Sequence, residues 1–134
     1  MRKYLLDSAP AQSFIHGLSP VKERASNLSQ TGAKIGICIP VFAELMGGIE
    51  LSATRERNRK ILMKAVRKLY VWPLDRVAAE EYGRIYAFLR RSGRPMPTMD
   101  IQIAAIALTL GNCTLVTKDS DFAAIPGLTI ENWS

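Results

Sequence analysis

Histidine is almost missing from this 134-residue chain, with His16 the only one. Histidine-driven hydrolysis therefore has too small a cast, and His16 reads as a surface or packing residue. Cysteine is scarce as well. Cys38 and Cys113 stand alone without CxxC spacing, each in or beside an apolar strand-like run. They read as small core residues in a reducing compartment, so a cytoplasmic protein is expected. No apolar run approaches the ~20 residues of a membrane span. After Met1-Arg2-Lys3-Tyr4-Leu5-Leu6, an acid at position 7 arrives too early for a signal peptide. Neither Gly47-Gly48 nor Gly32 with Gly36 fits a dinucleotide or phosphate-cradling loop. Repeats, low-complexity tracts and linkers are lacking too, and residues 1–134 read as one domain.

A chain of this length can bury a proper core without disulfides or structural metal. Hydrophobic residues make up 48% and charged residues 22%, which argues against disorder. The net charge of +6 favours a polyanionic partner. Much of the excess lies in Arg55, Arg57, Arg59, Lys60, Lys64, Arg67 and Lys68, opposed there only by Glu56. On charge alone that run is equally a solvated helix face. Arg90, Arg91 and Arg94 form a second basic cluster.

Short apolar runs at 3–7, 35–39, 70–74, 113–117 and 128–130 read as strands. A brief helix or loop follows Pro10. Ser19-Pro20 signals a helix start, with Ser19 as cap, and Gly32 fits its stop. Pro40 opens a helix through about Leu51, and Ser52 or Thr54 caps the basic helix after it. Asp75 caps a helix over 76–91 whose apolar stripe contains Val77, Ala78, Tyr82, Ile85, Tyr86 and Leu89. Thr98 caps another, apolar almost all round and so buried, which Gly111 ends. Alternating strands and helices imply an α/β fold: a mostly parallel sheet of four to five short strands, covered on both faces.

Carboxylates mark the junctions between these elements. Asp7 and Asp119 stand at strand ends, Glu44 lies one turn into the helix after the second strand, and Asp100 lies in a first helical turn. Ligands gather at the carboxyl edge of a parallel sheet, so all four acids can reach one crevice. Glu44 shares a helical face with Val41, Leu45 and Gly48 and is expected to point inward. Each acid alone also has a structural explanation. Asp7 can end a strand in a turn, Asp100 can favour the helix dipole, and Asp119 or Asp121 can cap a turn. As a set they need a counter-charge, because clustered carboxylates raise one another's pKa. Oxygen-only ligation suits Mg²⁺ or Mn²⁺, and such an ion can activate water against a phosphodiester.

The runs Tyr4-Leu5-Leu6-Asp7-Ser8, Ala43-Glu44-Leu45, Gly93-Arg94-Pro95-Met96-Pro97-Thr98-Met99-Asp100 and Leu115-Val116-Thr117-Lys118-Asp119-Ser120-Asp121-Phe122 occur in that order. In order and spacing this resembles the PIN-domain family, in particular the VapC-type toxins of toxin–antitoxin pairs, over essentially the whole chain. The resemblance implies a PIN-like three-layer α/β/α fold and a Mg²⁺- or Mn²⁺-dependent endoribonuclease. It would be the toxin of a type II pair, acting on RNA, with a cognate antitoxin and a homodimeric state. It implies Asp7, Glu44, Asp100 and Asp119 as catalytic and metal-binding residues, with Asp121 as a fifth acid. Ser8 and Thr117 would support them through their hydroxyls. Arg94, Lys118, Arg55 and Arg59 are expected to hold RNA backbone. One departure stands out: where the family frequently has Asn after the hydroxyl residue, this chain has Ala9, which cannot brace the site through an amide. A PIN-fold module that binds nucleic acid without cutting it is the competing expectation.

Overall fold

The computed structural model describes residues 1–134. Its elements follow the order β1 (Lys3–Leu6), α1 (Ser8–Ile15), α2 (Val21–Gln30), β2 (Lys34–Cys38), α3 (Ile39–Leu51), α4 (Arg55–Val66), β3 (Tyr70–Trp72), α5 (Arg76–Arg91), α6 (Thr98–Leu110), β4 (Cys113–Val116), a short 3₁₀ turn (Ser120–Ala124) and β5 (Thr129–Glu131). The five strands form one sheet in the order β3-β2-β1-β4-β5, and every pairing is parallel.

That order fixes the layers. The chain steps outward from β1 to β2 to β3, then returns across the sheet to β4. Because parallel crossovers are right-handed, α1 to α4 cover one face and α5 with α6 cover the other. The architecture is the three-layer α/β/α expected. Strands covered on both faces must be apolar throughout, and Tyr4, Leu5 and Leu6 of β1 with Leu115 and Val116 of β4 are fully buried. Helix α6 lies deepest, with Ile101 and the run Ile103 to Ala107 all buried. Gly111, at φ 71°, ends it in a backbone conformation that suits glycine.

Several local expectations are corrected. Helix α1 starts directly at Ser8, with Asp7 as its N-cap, rather than after Pro10. Ser19 caps nothing: Pro20 occupies the N-cap position of α2, with no side-chain cap bond. Thr98 is already helical behind Pro97, whose extended backbone and missing N–H open α6 without a side-chain cap. Thr54 occupies the N-cap position of α4, but its hydroxyl accepts from the Asn58 side chain rather than from a backbone N–H. The stripe on α5 is narrower than its sequence suggests. Ala78, Ile85 and Leu89 are buried, whereas Val77 is 57% and Tyr86 43% exposed. Asp75 caps α5 as expected, accepting from the Ala78 N–H at 2.9 Å.

Cys38 and Cys113 are free, and burial pushes their thiols up to about 12 and about 11. They pack as small apolar residues and are poor nucleophiles. No helix is long and apolar enough to cross a membrane.

Candidate active site

The sheet ladder itself brings Asp7 beside Thr117. Beyond the last paired residues of β1 and β4, the Asp7 N–H still donates to the Val116 carbonyl, and the Thr117 N–H to that of Glu131, both at 2.9 Å. The two residues therefore leave the carboxyl edge of the sheet as neighbours. Thr117 Oγ1 donates to Asp7 Oδ2 at 2.8 Å, and the Ser8 N–H donates to Asp7 Oδ1 at 2.8 Å. Both Asp7 oxygens are thus held, one of them by the first N–H of α1.

Thr117 also organises the far side. Its Oγ1 accepts the Asp119 N–H at 3.0 Å, and Asp119 Oδ1 in turn accepts the Asp121 N–H at 2.9 Å. Asp119 is therefore a cap for the 3₁₀ turn as well as a site acid, while Asp121 leaves its exposed carboxylate free. Ser8 gives Asp7 its backbone N–H, and Thr117 gives it a hydroxyl. Ala9 is exposed on α1, and the two Asp7 oxygens have the Ser8 N–H and Thr117 Oγ1 as partners.

Asp100, half-buried in the first turn of α6, carries the electrostatic record of the site. Its carboxyl is pushed up to about 6, first by burial and then by the charges of Asp7, Asp119, Glu44 and Asp121, in that order. The charges of the four other acids singled out in the sequence thus all reach Asp100. Glu44 corrects an expectation: it is exposed, not inward. Helix α3 buries Val41 and Leu45, and Glu44 sits on the flank of that stripe, ~100° round from Leu45. Gly48 is exposed with it. Glu44 therefore joins the acidic rim while remaining hydrated.

Whether these residues suit a divalent cation can be tested on the same facts. The donors are all carboxylate oxygens, which fits Mg²⁺ or Mn²⁺. Unrelieved repulsion at Asp100 is what a bound cation would remove. No three acids converge into a ready-made cage. The fit is to an ion that keeps part of its coordination for water and substrate, as Mg²⁺ usually does.

Lys118 and Arg94 are both exposed, Lys118 one residue before Asp119 and Arg94 in the loop leading to α6. Arg55 and Arg59 are exposed on α4. None of the four is paired with a carboxylate; the ion pairs are Arg24–Glu131, Arg76–Glu80 and Arg84–Glu81. Sequence reasoning missed a groove of about 280 Å³ opening at Glu44 and walled by Gln12, His16 and Asn58 over an apolar floor. The only available signal was the i,i+4 spacing of Gln12 and His16 on α1.

A sequence profile of the PIN domain matches residues 6–128. The chain is 36% identical over 133 residues to the tRNA(fMet)-specific endonuclease VapC of Salmonella typhimurium, covering 99% of each. It is 31% identical to the Shigella flexneri protein of the same name, covering 100% of both. Among solved structures, VapBC of Salmonella typhimurium bound to DNA superposes with a TM-score of 0.90 at 32% identity, covering 100% of each chain. VapBC2 of Rickettsia felis, bound to a DNA fragment from its promoter, gives 0.91 at 27%, covering 98% of this chain and 99% of that one. With the acidic crevice at the carboxyl edge of a five-stranded parallel sheet, these similarities place the chain: it belongs to the PIN-domain family, among the VapC-type toxin ribonucleases of toxin–antitoxin systems.

Proposed function

We propose that this protein is a Mg²⁺- or Mn²⁺-dependent endoribonuclease, the toxin of a type II toxin–antitoxin pair, whose metal is held by Asp7, Asp100, Asp119 and Glu44, with Asp121 beside them. The observation that carries the reading is the crowding of acids at the carboxyl edge of the sheet: Thr117 Oγ1 ties Asp7 to Asp119, and their charges, with those of Glu44 and Asp121, add to burial in pushing Asp100 up to about 6. Such crowding has no structural benefit, and a cation-dependent reaction explains it.

When bound, the ion supplies positive charge against the scissile phosphate and lowers the cost of generating a nucleophile from water. The protein supplies placement. Ser8 N–H and Thr117 Oγ1 fix the Asp7 carboxylate, and Thr117 ties the Asp119 loop to it. Asp100 must lose its proton to serve as a ligand. Lys118 and Arg94 flank the crevice as holds for RNA backbone, with Arg55 and Arg59 farther out on α4. No 2′-hydroxyl attack is needed, so products with 5′-phosphate and 3′-hydroxyl ends are expected.

The Salmonella and Shigella relatives are named for tRNA(fMet), which makes initiator tRNA the first substrate to try. Related VapC chains are solved together with VapB, and a cognate antitoxin in the cytoplasm belongs to this reading. So does a homodimer, for which the exposed apolar residues Val77, Tyr86 and Phe88 on α5 and Leu51 on α3 offer surface. The test is cleavage of initiator tRNA with Mg²⁺, with EDTA, and with Asp7→Asn or Asp100→Asn. EDTA and each substitution should abolish cutting while the fold persists. Wild-type rates in either variant, or indifference to EDTA, would refute the mechanism.

A further inference from the structure

Leaving the acidic centre, the Glu44 groove runs between α1 and the α3–α4 pair and ends at His16 and Ile61. There it joins a second cavity, of about 330 Å³, which shares His16 and Ile61 and is edged by Lys22, Lys64 and Lys68. These three lysines come from α2, from α4 and from the turn after α4, and none has a carboxylate partner. Lys22 lies over the Phe14 ring, 4.1 Å from its centroid, which holds its ammonium at the cavity wall. Its pKa is lowered, first by burial and then by the charge of Lys68. Unpaired cations drawn together from separate elements are an anion site in waiting.

We propose that the strip from Glu44 to the three lysines is the path of the RNA substrate on one side of the cut. The Gln12–His16–Asn58 groove houses unstacked bases, and Lys22, Lys64 and Lys68 grip a backbone phosphate a few nucleotides from the scissile one. This rests on the ribonuclease reading and adds to it the direction in which the strand leaves the site. Three features favour a nucleic acid over a protein segment. First, the strip begins at a residue of the acidic centre itself. Second, its walls carry amide and imidazole groups: Asn58 spends its N–H groups on Ser52 and Thr54 and keeps its carbonyl oxygen free to accept, while Gln12 and His16 have no side-chain partner. Such groups over an apolar floor suit splayed bases. Third, the charge at the far end is purely cationic, as a phosphate requires. Helix α1 spans eight residues between the two ends, ~12 Å at helical rise, a reach of a few nucleotides.

The decisive experiment is binding of a fluorescein-labelled single-stranded RNA oligonucleotide to the full chain in EDTA, across a salt series. Lys64→Gln/Lys68→Gln alters two exposed positions and should preserve the thermal midpoint. It should weaken binding about tenfold and reduce the slope of log affinity against log salt by about 1.4, ~0.7 per phosphate-contacting lysine on a single strand. Lys64→Arg/Lys68→Arg should restore both. Arg2→Gln/Arg76→Gln removes equal charge away from the strip and should change neither. Under Mg²⁺, the glutamine pair should raise KM for a long substrate and leave cleavage of a substrate too short to reach the lysines unaltered. Equal loss in the Arg2/Arg76 control would reduce the effect to overall charge and overturn the proposal. So would unchanged binding in the glutamine pair, which would leave the strip to a protein segment, or failure of the wild type to bind RNA. Binding that behaves as expected without any Mg²⁺-dependent cleavage would instead refute the ribonuclease reading alone.

Discussion

Thr117 Oγ1 donates to Asp7 Oδ2 at 2.8 Å across 110 positions of sequence, and the same oxygen accepts the Asp119 N–H at 3.0 Å. One hydroxyl thus joins the ends of β1 and β4 and sets the spacing of two site acids. At 4% exposure Thr117 is the only buried polar residue in the chain, and its burial is tolerable because both bonds are made. Thr117→Val keeps the shape but leaves Asp7 Oδ2 and the Asp119 N–H without this partner. We expect a loss of about 1–3 kcal/mol in stability and a fall in kcat, both measured against Thr117→Ser. The serine variant keeps the hydroxyl and should recover most of each. A valine variant as stable and active as wild type would remove Thr117 from the account.

Asp100 makes the stability of the metal-free protein depend on pH in an unusual sense. Its folded pKa is raised from 3.8 to about 6, so between those values the folded chain binds more protons than the unfolded one. Stability from this group is therefore greatest at the acid end and falls as pH rises through the window. Measured in EDTA, the thermal midpoint of Asp100→Asn should pull ahead of wild type between about pH 4 and about pH 7. The gap should close when Mg²⁺ is added to wild type, since a cation favours the ionised carboxylate. An asparagine variant less stable than wild type at neutral pH would contradict the crowding argument.

The alternation of elements was legible because buried parallel strands are short and wholly apolar, and because Asp75, Gly111 and Pro40 punctuate helices for simple steric and hydrogen-bonding reasons. The acids were legible as a set because each stands at a junction facing the same sheet edge. What local pattern could not give was rotation. Val41, Glu44 and Leu45 lie within ~1.1 turns, and which of them faces the core depends on how α3 settles against β2 and α6. Tyr86 and Val77 were misplaced for the same reason on α5. The Gln12–His16–Asn58 groove exists only because α4 returns against α1, a contact between segments more than forty residues apart. A lone histidine carries no trace of that.

The Asp75 cap offers a control that separates fold from function. Its Oδ1 accepts the Ala78 N–H at the start of α5, outside the acidic cluster. Asp75→Ala should cost about 1 kcal/mol of stability and leave RNA cleavage at permissive temperature unchanged. If cleavage falls out of proportion to stability, α5 communicates with the site through α6, against which it packs.

Gly36 sets how closely the edge strand β3 can approach. It pairs with Tyr70, and a Cβ built on it would lie 2.5 Å from the Tyr70 carbonyl oxygen, 2.8 Å from Trp72 Cζ3 and 2.9 Å from Tyr70 Cβ. The first of these is backbone in the neighbouring strand and cannot rotate away. The indole of Trp72 is held as well, stacked on Tyr70 with ring centroids 5.8 Å apart. Gly36→Ala must therefore push β3 outward, at a cost of about 1–3 kcal/mol for an overpacked methyl. Denaturant melts should show the loss, and hydrogen exchange should show faster opening at Val71 and Trp72 than at Leu5 and Leu115 in the sheet centre. Because Cys38 and Trp72 pair at the end of this ladder, just before α3, the displacement should also reach Glu44. Cleavage in the alanine variant should fall more than its loss of stability explains, with Mg²⁺ affinity reduced. An alanine variant that melts like wild type would mean that β3 is free to shift, and that the position of Glu44 does not depend on it.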